Sequence, residues 1–206
     1  MEKLIQKIES LRNSEISKTV IDRIKEFKQV NKESADELFE ELYYCILTAR
    51  SPAEKCIEIQ NKIGDYFHNC SEEDITKKLK DMGYHFHNRA KYISKAAKDK
   101  EKIKEAVNSF RGEELREWII GNIKGIGPKE SSHFLRNVGF DDFAIIDYHI
   151  IDVLVKYKLI EKPKTMTRKK YLEIEKILKQ IAQKSNLTLA ELDLYLWYME
   201  TSKILK

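Results

Sequence analysis

The stretch GNIKGIGPKESSHFLRNVG, residues 121–139, decides how the rest of the chain is interpreted. Three of the seven glycines of the protein fall between positions 121 and 127. An apolar helical pattern ending at Ile120 precedes them, and a second one containing Leu135 follows. The second pattern stops at Gly139, a residue type that commonly ends helices. The sequence therefore predicts two helices joined by a glycine turn, which is a helix-hairpin-helix.

The turn itself has the composition of an anion site. Gly125 and Gly127 are predicted to take positive φ and to allow close approach of a ligand, while Ile126 anchors the turn in the core. The next helix begins with N–H groups that point outward, and Lys124 adds a positive charge. A phosphate of a nucleic-acid backbone fits such a site without any base contact. An ordinary tight turn between two helices stays open as the alternative.

The composition favours an all-α protein. The chain has 206 residues, of which 42% are hydrophobic, and this is too apolar for a disordered chain. Seven glycines and three prolines leave few helix breakers. Helix-start signals at Ser34, Ser71 and Thr188, and the pair Ser51–Pro52, favour about ten to twelve short helices with little or no sheet.

Several classes of protein are excluded by simple patterns. No run approaches 18 apolar residues, and the N-terminus lacks an apolar signal region, so we expect an intracellular protein of the cytoplasm or nucleoid. Cysteines at positions 45, 56 and 70 are too scattered for a disulfide scaffold, a zinc site or an iron–sulfur cluster. His85 and His87 would point to different faces of a helix, so no metal site is predicted.

Charge is unevenly distributed along the chain. The net charge of +4 is too small to prove a nucleic-acid partner by itself. Residues 84–104 and residues 162–179, however, each hold seven Lys and Arg against two Asp and Glu. Two such runs on either side of the hairpin favour a polyanion as partner, although solvated helix faces would have the same composition.

A second segment makes the interpretation specific. The stretch FAIIDYHIIDVL, residues 143–154, contains an apolar run that ends in Asp147, a residue suited to capping a helix that starts at Tyr148. The pattern G-I-G-x-K, followed about eighteen positions later by I-D-x-H, resembles the helix-hairpin-helix DNA glycosylase superfamily. Residues 124–150 and the ending LDLYLWYMETSKILK closely resemble the archaeal type-2 8-oxoguanine DNA glycosylase/AP lyase family.

Two shorter matches extend this resemblance over most of the chain: Leu47–Ala49 before Arg50, and the stretch from residue 83 to residue 93. The resemblance implies an all-α, two-lobed helix-hairpin-helix DNA glycosylase fold. It makes residues 1–206 one glycosylase unit. Residues of about 30–118 would form a helical lobe, and about 119–155 would hold the hairpin and the aspartate. The N- and C-terminal helices would pack together as the second lobe.

The resemblance also implies a bifunctional enzyme. Lys129 matches the nucleophile that attacks the sugar C1′ and forms a Schiff base, and Asp147 matches the carboxylate that supports an oxocarbenium-like transition state. The residue types suit this chemistry, because a partly desolvated lysine beside other cations is favoured in the neutral form that attack requires. A monofunctional glycosylase would need Asp147 but no lysine at 129. The alternative roles are an exposed lysine at a helix start and a plain helix cap.

The remaining site residues are also implied by the resemblance, since the damaged base must leave the stack. Phe86, Trp197 and Lys206 match the base pocket, with Lys206 contributing the free carboxylate of the chain end. Arg50 stands at the wedge that faces the opposite base, where related enzymes often have Asn or Gln. His149 is expected to buttress the site rather than to react.

We therefore expect a protein that removes 8-oxoguanine from DNA and cleaves the abasic strand. Its partner would be DNA containing oxidised guanine, without a membrane, and the protein would act as a monomer. No cofactor is required, although the hairpin of related folds can hold a structural monovalent cation. Two alternatives stay open: a related glycosylase for another damaged base, and a non-catalytic helix-hairpin-helix module for which Lys129 and Asp147 would be dispensable.

Overall fold

The computed structural model describes residues 1–30, 34–86 and 88–206. These residues form twelve α-helices and one 3-10 helix, Gly64–His68, and contain no strand, which confirms the all-α prediction. His87 of the H-x-H pair lies outside the described residues. The α-helices are α1 (Glu2–Arg12), α2 (Ile16–Val30), α3 (Ala35–Thr48), α4 (Ala53–Ile63), α5 (Glu72–Asp81), α6 (Asn88–Lys98), α7 (Lys100–Ser109), α8 (Gly112–Asn122), α9 (Pro128–Asn137), α10 (Tyr148–Lys156), α11 (Arg168–Lys184) and α12 (Leu189–Thr201).

Two of the predicted helix-start signals are confirmed by hydrogen bonds. The Ser71 hydroxyl accepts the Asp74 N–H at the start of α5. At the start of α12, Thr188 and Glu191 form a complete capping box, in which each side chain accepts the backbone N–H of the other residue. Each such cap stabilises its helix by about 1 kcal/mol.

The other two signals are wrong in detail. Ser34 occupies the N-cap position of α3, but its side chain makes no capping bond. The pair Ser51–Pro52 is shifted by one position, because Pro52 is the N-cap of α4 and the helix begins at Ala53. Ser51 belongs instead to the turn after α3, where its N–H donates to the Thr48 carbonyl at 3.2 Å.

The chain divides into two compact units, and the boundary falls inside α9. The central unit comprises residues 30–134, and the terminal unit comprises residues 1–29 and 135–206. The lobe limits of about 30–118 and 119–155 stay predictions.

Helix α3 is the core of the central unit. Eleven of its 14 residues are buried, and it packs against α4, α6 and α7. Phe39, Tyr43 and Phe67 form a series of edge-to-face contacts, with ring centroids 5.3 and 4.9 Å apart, an arrangement that aromatic rings favour.

In the terminal unit, α12 packs against α1, α10 and α11. One apolar cluster joins Leu4 and Ile8 of α1 to Leu192 and Leu196 of α12, together with residues of α10 and α11. A smaller cluster packs Val20 and Phe27 of α2 against Leu194 and Tyr195. Because both clusters use α12, this helix is buried along nearly its whole first half.

A buried ion pair lies in the same unit. Arg136, near the end of α9, donates to the Asp193 carboxylate of α12 and also to the Asn137 side chain from Nε and Nη2. Its guanidinium lies 4.7 Å from the centre of the Phe27 ring. Removing one partner of such a buried pair typically costs about 3–5 kcal/mol, so this pair fixes the last turn of α9 against α12.

Candidate nucleic-acid interface and active site

The hairpin lies between the end of α8 at Asn122 and the start of α9 at Pro128. Gly125 has φ +85°, as predicted, and a Cβ atom there would lie 2.3 Å from the Tyr92 ring. Ile126 is only 6% exposed, which confirms that it anchors the turn. Gly125 is therefore required twice, for its backbone conformation and for the close packing of Tyr92.

The prediction of positive φ at Gly127 is wrong. Four glycines have positive φ, and Gly127 is not among them. It directly precedes Pro128, which restricts the residue before it to extended conformations. Its carbonyl accepts the Ser131 N–H at 2.9 Å, so Gly127 acts as the first acceptor of α9.

The start of α9 offers an anion site. Pro128 has no N–H, and the bond from Ser131 to Gly127 is the first within the helix, so the N–H groups of Lys129 and Glu130 lie ahead of it. Lys124 is exposed at the preceding turn. The helix dipole and these donors together favour a negatively charged ligand.

We expect Gly125→Ala to lower both stability and DNA affinity. The left-handed backbone costs an alanine about 1–2 kcal/mol, and the new methyl group also displaces the Tyr92 ring. The matched control is Gly121→Ala in α8, where nothing lies within 4 Å of the added Cβ and helix propensity favours alanine. Denaturant unfolding and binding to a DNA duplex measure both effects. Equal stability of the two variants would contradict this account of Gly125.

Lys129 is the second residue of α9 and is half-buried. It makes no ion pair with any residue that the structure describes. The charge of Lys129 acts on the thiol of Cys56, a buried residue of α4. Burial raises the pKa of the Cys56 thiol to about 12, against the opposing effect of the Lys129 and Lys55 charges. The thiol is therefore neutral near pH 7.

Asp147 is the N-cap of α10, as predicted. Its Oδ1 accepts the Ile150 N–H at 3.0 Å, and its backbone is extended, with φ −103° and ψ −172°. Within the described part of the chain, Oδ2 makes no hydrogen bond, and the side chain is half-buried. One oxygen thus fixes the carboxylate to the helix while the other is available to a ligand.

Arg50 occupies a constrained turn after α3. It is exposed and has φ +64°, a conformation that costs a residue with a side chain about 1–3 kcal/mol. Tyr84 Oη donates to the Leu47 carbonyl at 2.6 Å, and Arg89 Nη2 donates to the Ala49 carbonyl at 3.0 Å. Burial raises the pKa of Tyr84, so its hydroxyl stays a donor. The turn therefore presents Arg50 from a fixed backbone.

Tyr84 and Arg89 were not predicted as site residues. Both lie in the stretch of residues 83–93 that resembles the glycosylase family, and this match was the signal that could have singled them out. The contacts that reveal them span 37 and 40 residues of sequence.

The predicted pocket residues fall in both units. In the central unit, Phe86 is 44% exposed, and its ring lies 5.5 Å from that of Tyr84. In the terminal unit, the half-buried Trp197 makes an edge-to-face contact with His149 at 4.4 Å. Among the described residues, no acceptor is within reach of its buried indole N–H. Lys206 is half-buried in the same unit.

His149 lies against two aromatic rings. Besides its contact with Trp197, it lies 3.9 Å from the ring of Tyr148, which is 65% exposed. Its predicted role as a buttress of the site stays a prediction.

The predicted site residues divide between the units as follows. The central unit contains Arg50, Phe86, Lys124, Gly125, Gly127 and Lys129, and the terminal unit contains Asp147, Trp197 and Lys206. Across residues 1–30, 34–86 and 88–206, no group of three or more His, Cys, Asp or Glu side chains is arranged to hold a metal ion. In the same residues, no helix has the length and apolar character needed to cross a membrane.

In an all-helical chain, the succession of glycine hairpin, lysine and helix-capping aspartate defines the class of helix-hairpin-helix DNA glycosylases. The family model described as 8-oxoguanine DNA glycosylase matches residues 20–187. This chain belongs to that 8-oxoguanine DNA glycosylase family.

Two curated relatives are similar over nearly their whole length. One from Methanocaldococcus jannaschii, named 8-oxoguanine DNA glycosylase/AP lyase, is 52% identical over an alignment that covers 98% of this chain and 99% of the relative. One of the same name from Korarchaeum cryptofilum is 44% identical over 98% of both chains. The solved structure of the Methanocaldococcus jannaschii 8-oxoguanine glycosylase/lyase in complex with 15mer DNA containing 8-oxoguanine matches 99% of this chain and 100% of its own, with a TM-score of 0.95 and 52% identity.

Proposed function

We propose that this protein removes 8-oxoguanine from DNA and cleaves the strand at the abasic site it creates. The observation that carries this proposal is the position of Lys129. It lies in the first turn of α9, directly after the hairpin, in a chain 52% identical over almost its whole length to a glycosylase/AP lyase. A glycosylase that used activated water alone would not need an amine there.

The first step we propose is binding of the DNA backbone at the hairpin. The N–H groups of Lys129 and Glu130, with the Lys124 charge, hold a phosphate. The damaged nucleotide then leaves the stack, which exposes its sugar to the enzyme. Phe86, Trp197 and Lys206 stay the predicted contacts of the extruded base.

The chemical steps then use two side chains. The Nζ atom of neutral Lys129 bonds to C1′ as the C1′–N9 bond breaks, and the departing base takes a proton. The Asp147 carboxylate stabilises the positive charge that develops on the sugar, an electrostatic effect that is large in a partly desolvated site. The lysine nitrogen then loses a proton, the C1′–O4′ bond opens, and O4′ is protonated, which leaves an imine.

Strand cleavage follows from the imine. A base removes a proton from C2′, and the C3′–O3′ bond breaks with departure of the 3′ phosphate, which is β-elimination. Water then hydrolyses the imine and frees Lys129. Because these steps use side chains of one chain, we propose that the protein acts as a monomer without a required cofactor. Because its substrate is DNA, we propose that the protein acts in the cytoplasm or nucleoid.

The monovalent cation that the resemblance implies for the hairpin suits the groups present. The turn of residues 123–126 carries backbone carbonyl oxygens, and carbonyl oxygens are suitable ligands for such an ion. Bound there, a cation would reinforce the positive potential at the start of α9.

The proposal is tested by trapping the covalent intermediate. The protein is mixed with a duplex carrying one 8-oxoguanine, borohydride is added, and the mixture is examined for a protein–DNA cross-link. We expect a cross-link that requires both the lesion and Lys129. An undamaged duplex and the Lys129→Gln variant are the controls. A cross-link with another lesion only would indicate a related glycosylase, and binding without any cross-link or base release would indicate a non-catalytic DNA-binding module.

We expect Arg50→Ala to slow excision from duplex DNA about tenfold, because a side-chain contact with a base is worth about 1–3 kcal/mol. On single-stranded DNA with the same lesion, the rate should stay unchanged, since no opposite base is present. Single-turnover rates on both substrates, and on duplexes with each opposite base, measure the effect. An equal loss of the excision rate on single-stranded DNA would show that Arg50 does not act as the wedge.

A further inference from the structure

The chain between α9 and Asp147 is unusual for an all-helical protein. Residues 143–146 form neither helix nor strand, yet all four are buried. Buried backbone N–H and C=O groups must be paired, because leaving them without partners is costly. In a sheet, a neighbouring strand would provide the partners, and the described residues contain no strand.

Two side chains of α11 provide partners for three of these backbone groups. The Tyr171 hydroxyl donates to the Ala144 carbonyl at 2.6 Å and lies 3.4 Å from the Ile146 N–H, which donates to it. Glu175 Oε1 accepts the Ala144 N–H at 3.2 Å. Tyr171 and Glu175 are one helical turn apart and therefore project from the same face of α11. They are 2% and 3% exposed, so this contact is sheltered from water.

The buried carboxylate of Glu175 is itself supported. Besides the Ala144 N–H, its Oε2 lies 3.8 Å from Nζ of Lys179, the next turn along α11. A buried carboxylate is tolerated when it is paired in this way. The contact between Glu175 and the Ala144 N–H therefore depends on a hydrogen bond and on a charge. An apolar side chain at position 175 would not replace it.

We infer that Tyr171 and Glu175 are positioning residues for Asp147. Ile146, whose N–H is held by Tyr171, is bonded directly to Asp147, so the two side chains fix the direction in which the backbone enters the aspartate. The Ile150 N–H then fixes one oxygen of its carboxylate from the other side. Asp147 is therefore held from both α11 and α10. This inference rests on the proposed function, in which Asp147 stabilises the reacting sugar.

The expected effect follows from the sensitivity of catalysis to position. A displacement of about 1 Å in a reacting group can cost about a hundredfold in rate. We expect Tyr171→Phe, which removes only the hydroxyl, to slow single-turnover excision by about 10- to 100-fold while DNA affinity stays unchanged. Tyr195→Phe is the matched control, because Tyr195 is a buried tyrosine of α12 in the same unit that contacts none of residues 143–146 through a hydrogen bond.

The decisive experiment is a double-mutant cycle with Asp147→Asn, measured well below the unfolding temperature of every variant. If Tyr171 acts through Asp147, Tyr171→Phe will slow excision in the otherwise wild-type protein. In a protein that already carries Asp147→Asn, it will cause little further loss of the excision rate. Losses that multiply in the double variant would overturn the inference, and so would a Tyr171→Phe rate equal to that of Tyr195→Phe.

Glu175 gives a second test that does not depend on the folding of Tyr171→Phe. Glu175→Gln keeps an oxygen acceptor for the Ala144 N–H and should retain most of the excision rate. Glu175→Ala removes the acceptor and should lose most of the excision rate. Equal rates for these two variants would overturn the inference. A failure of the proposed function is distinguishable, because Asp147→Asn alone would then leave excision unchanged.

Discussion

Replacing Lys129 with glutamine should abolish both base excision and strand nicking. Glutamine is similar in length and still donates a hydrogen bond, but its amide nitrogen cannot attack C1′ or form an imine. DNA affinity should stay largely intact, because the backbone N–H groups at the start of α9 and the Lys124 charge are unchanged. Single-turnover excision, nicking of an abasic duplex and borohydride trapping measure the three consequences separately.

Lys55→Gln is the matched control for this variant. Lys55 belongs to the same unit and also acts on the Cys56 thiol, but its amine is paired with Glu58 at 2.9 Å. The control therefore loses the same charge without losing the proposed nucleophile, and its rates should stay close to those of the wild type. Unaltered turnover of Lys129→Gln would show that Lys129 takes no part in the mechanism. Excision without nicking would assign base release to activated water.

Replacing Asp147 with asparagine should slow excision by about 10²- to 10⁴-fold, the range typical for loss of a group that stabilises charge or moves a proton. Asparagine caps helices about as well as aspartate, so its amide oxygen can still accept the Ile150 N–H. The melting temperature should therefore change little. The variant separates the two roles that one side chain has here, which an alanine at this position would not do.

A cap without a catalytic role provides the comparison. Ser71→Ala removes the capping bond at the start of α5 and should cost about 1 kcal/mol of stability while leaving the excision rate unchanged. Thermal unfolding and single-turnover excision are measured on both variants. If Asp147→Asn lost only thermal stability, Asp147 would be a helix cap and nothing more.

Local signals explain which parts of the molecule could be predicted from the sequence. The helices follow from apolar periodicity, and the caps at Ser71, Thr188 and Asp147 depend on residues three positions apart. The end of α9 is equally local. Gly139 has φ +95°, its N–H donates to the Arg136 carbonyl, and the Phe140 N–H donates to that of Leu135, which confirms the predicted glycine cap.

Contacts between distant residues explain what was missed. The support of the extended segment before Asp147 comes from Tyr171, 27 residues beyond Ala144, and the Arg50 turn is held by Tyr84 from 37 residues beyond Leu47. No periodicity or spacing encodes such bonds. The wrong prediction at Gly127 has a different origin. Both glycines of the turn were predicted to have positive φ, although Pro128 restricts the backbone of the residue before it, Gly127.

The buried pair of Arg136 and Asp193 has a consequence for behaviour on heating. The hydration of charged groups becomes less favourable as temperature rises, so the cost of keeping an ion pair away from water decreases. Apolar packing gains no comparable advantage over the same range. The attachment of the last turn of α9 to α12 should therefore weaken less on heating than the apolar contacts around it, and this part of the terminal unit should be among the last to open as the protein melts.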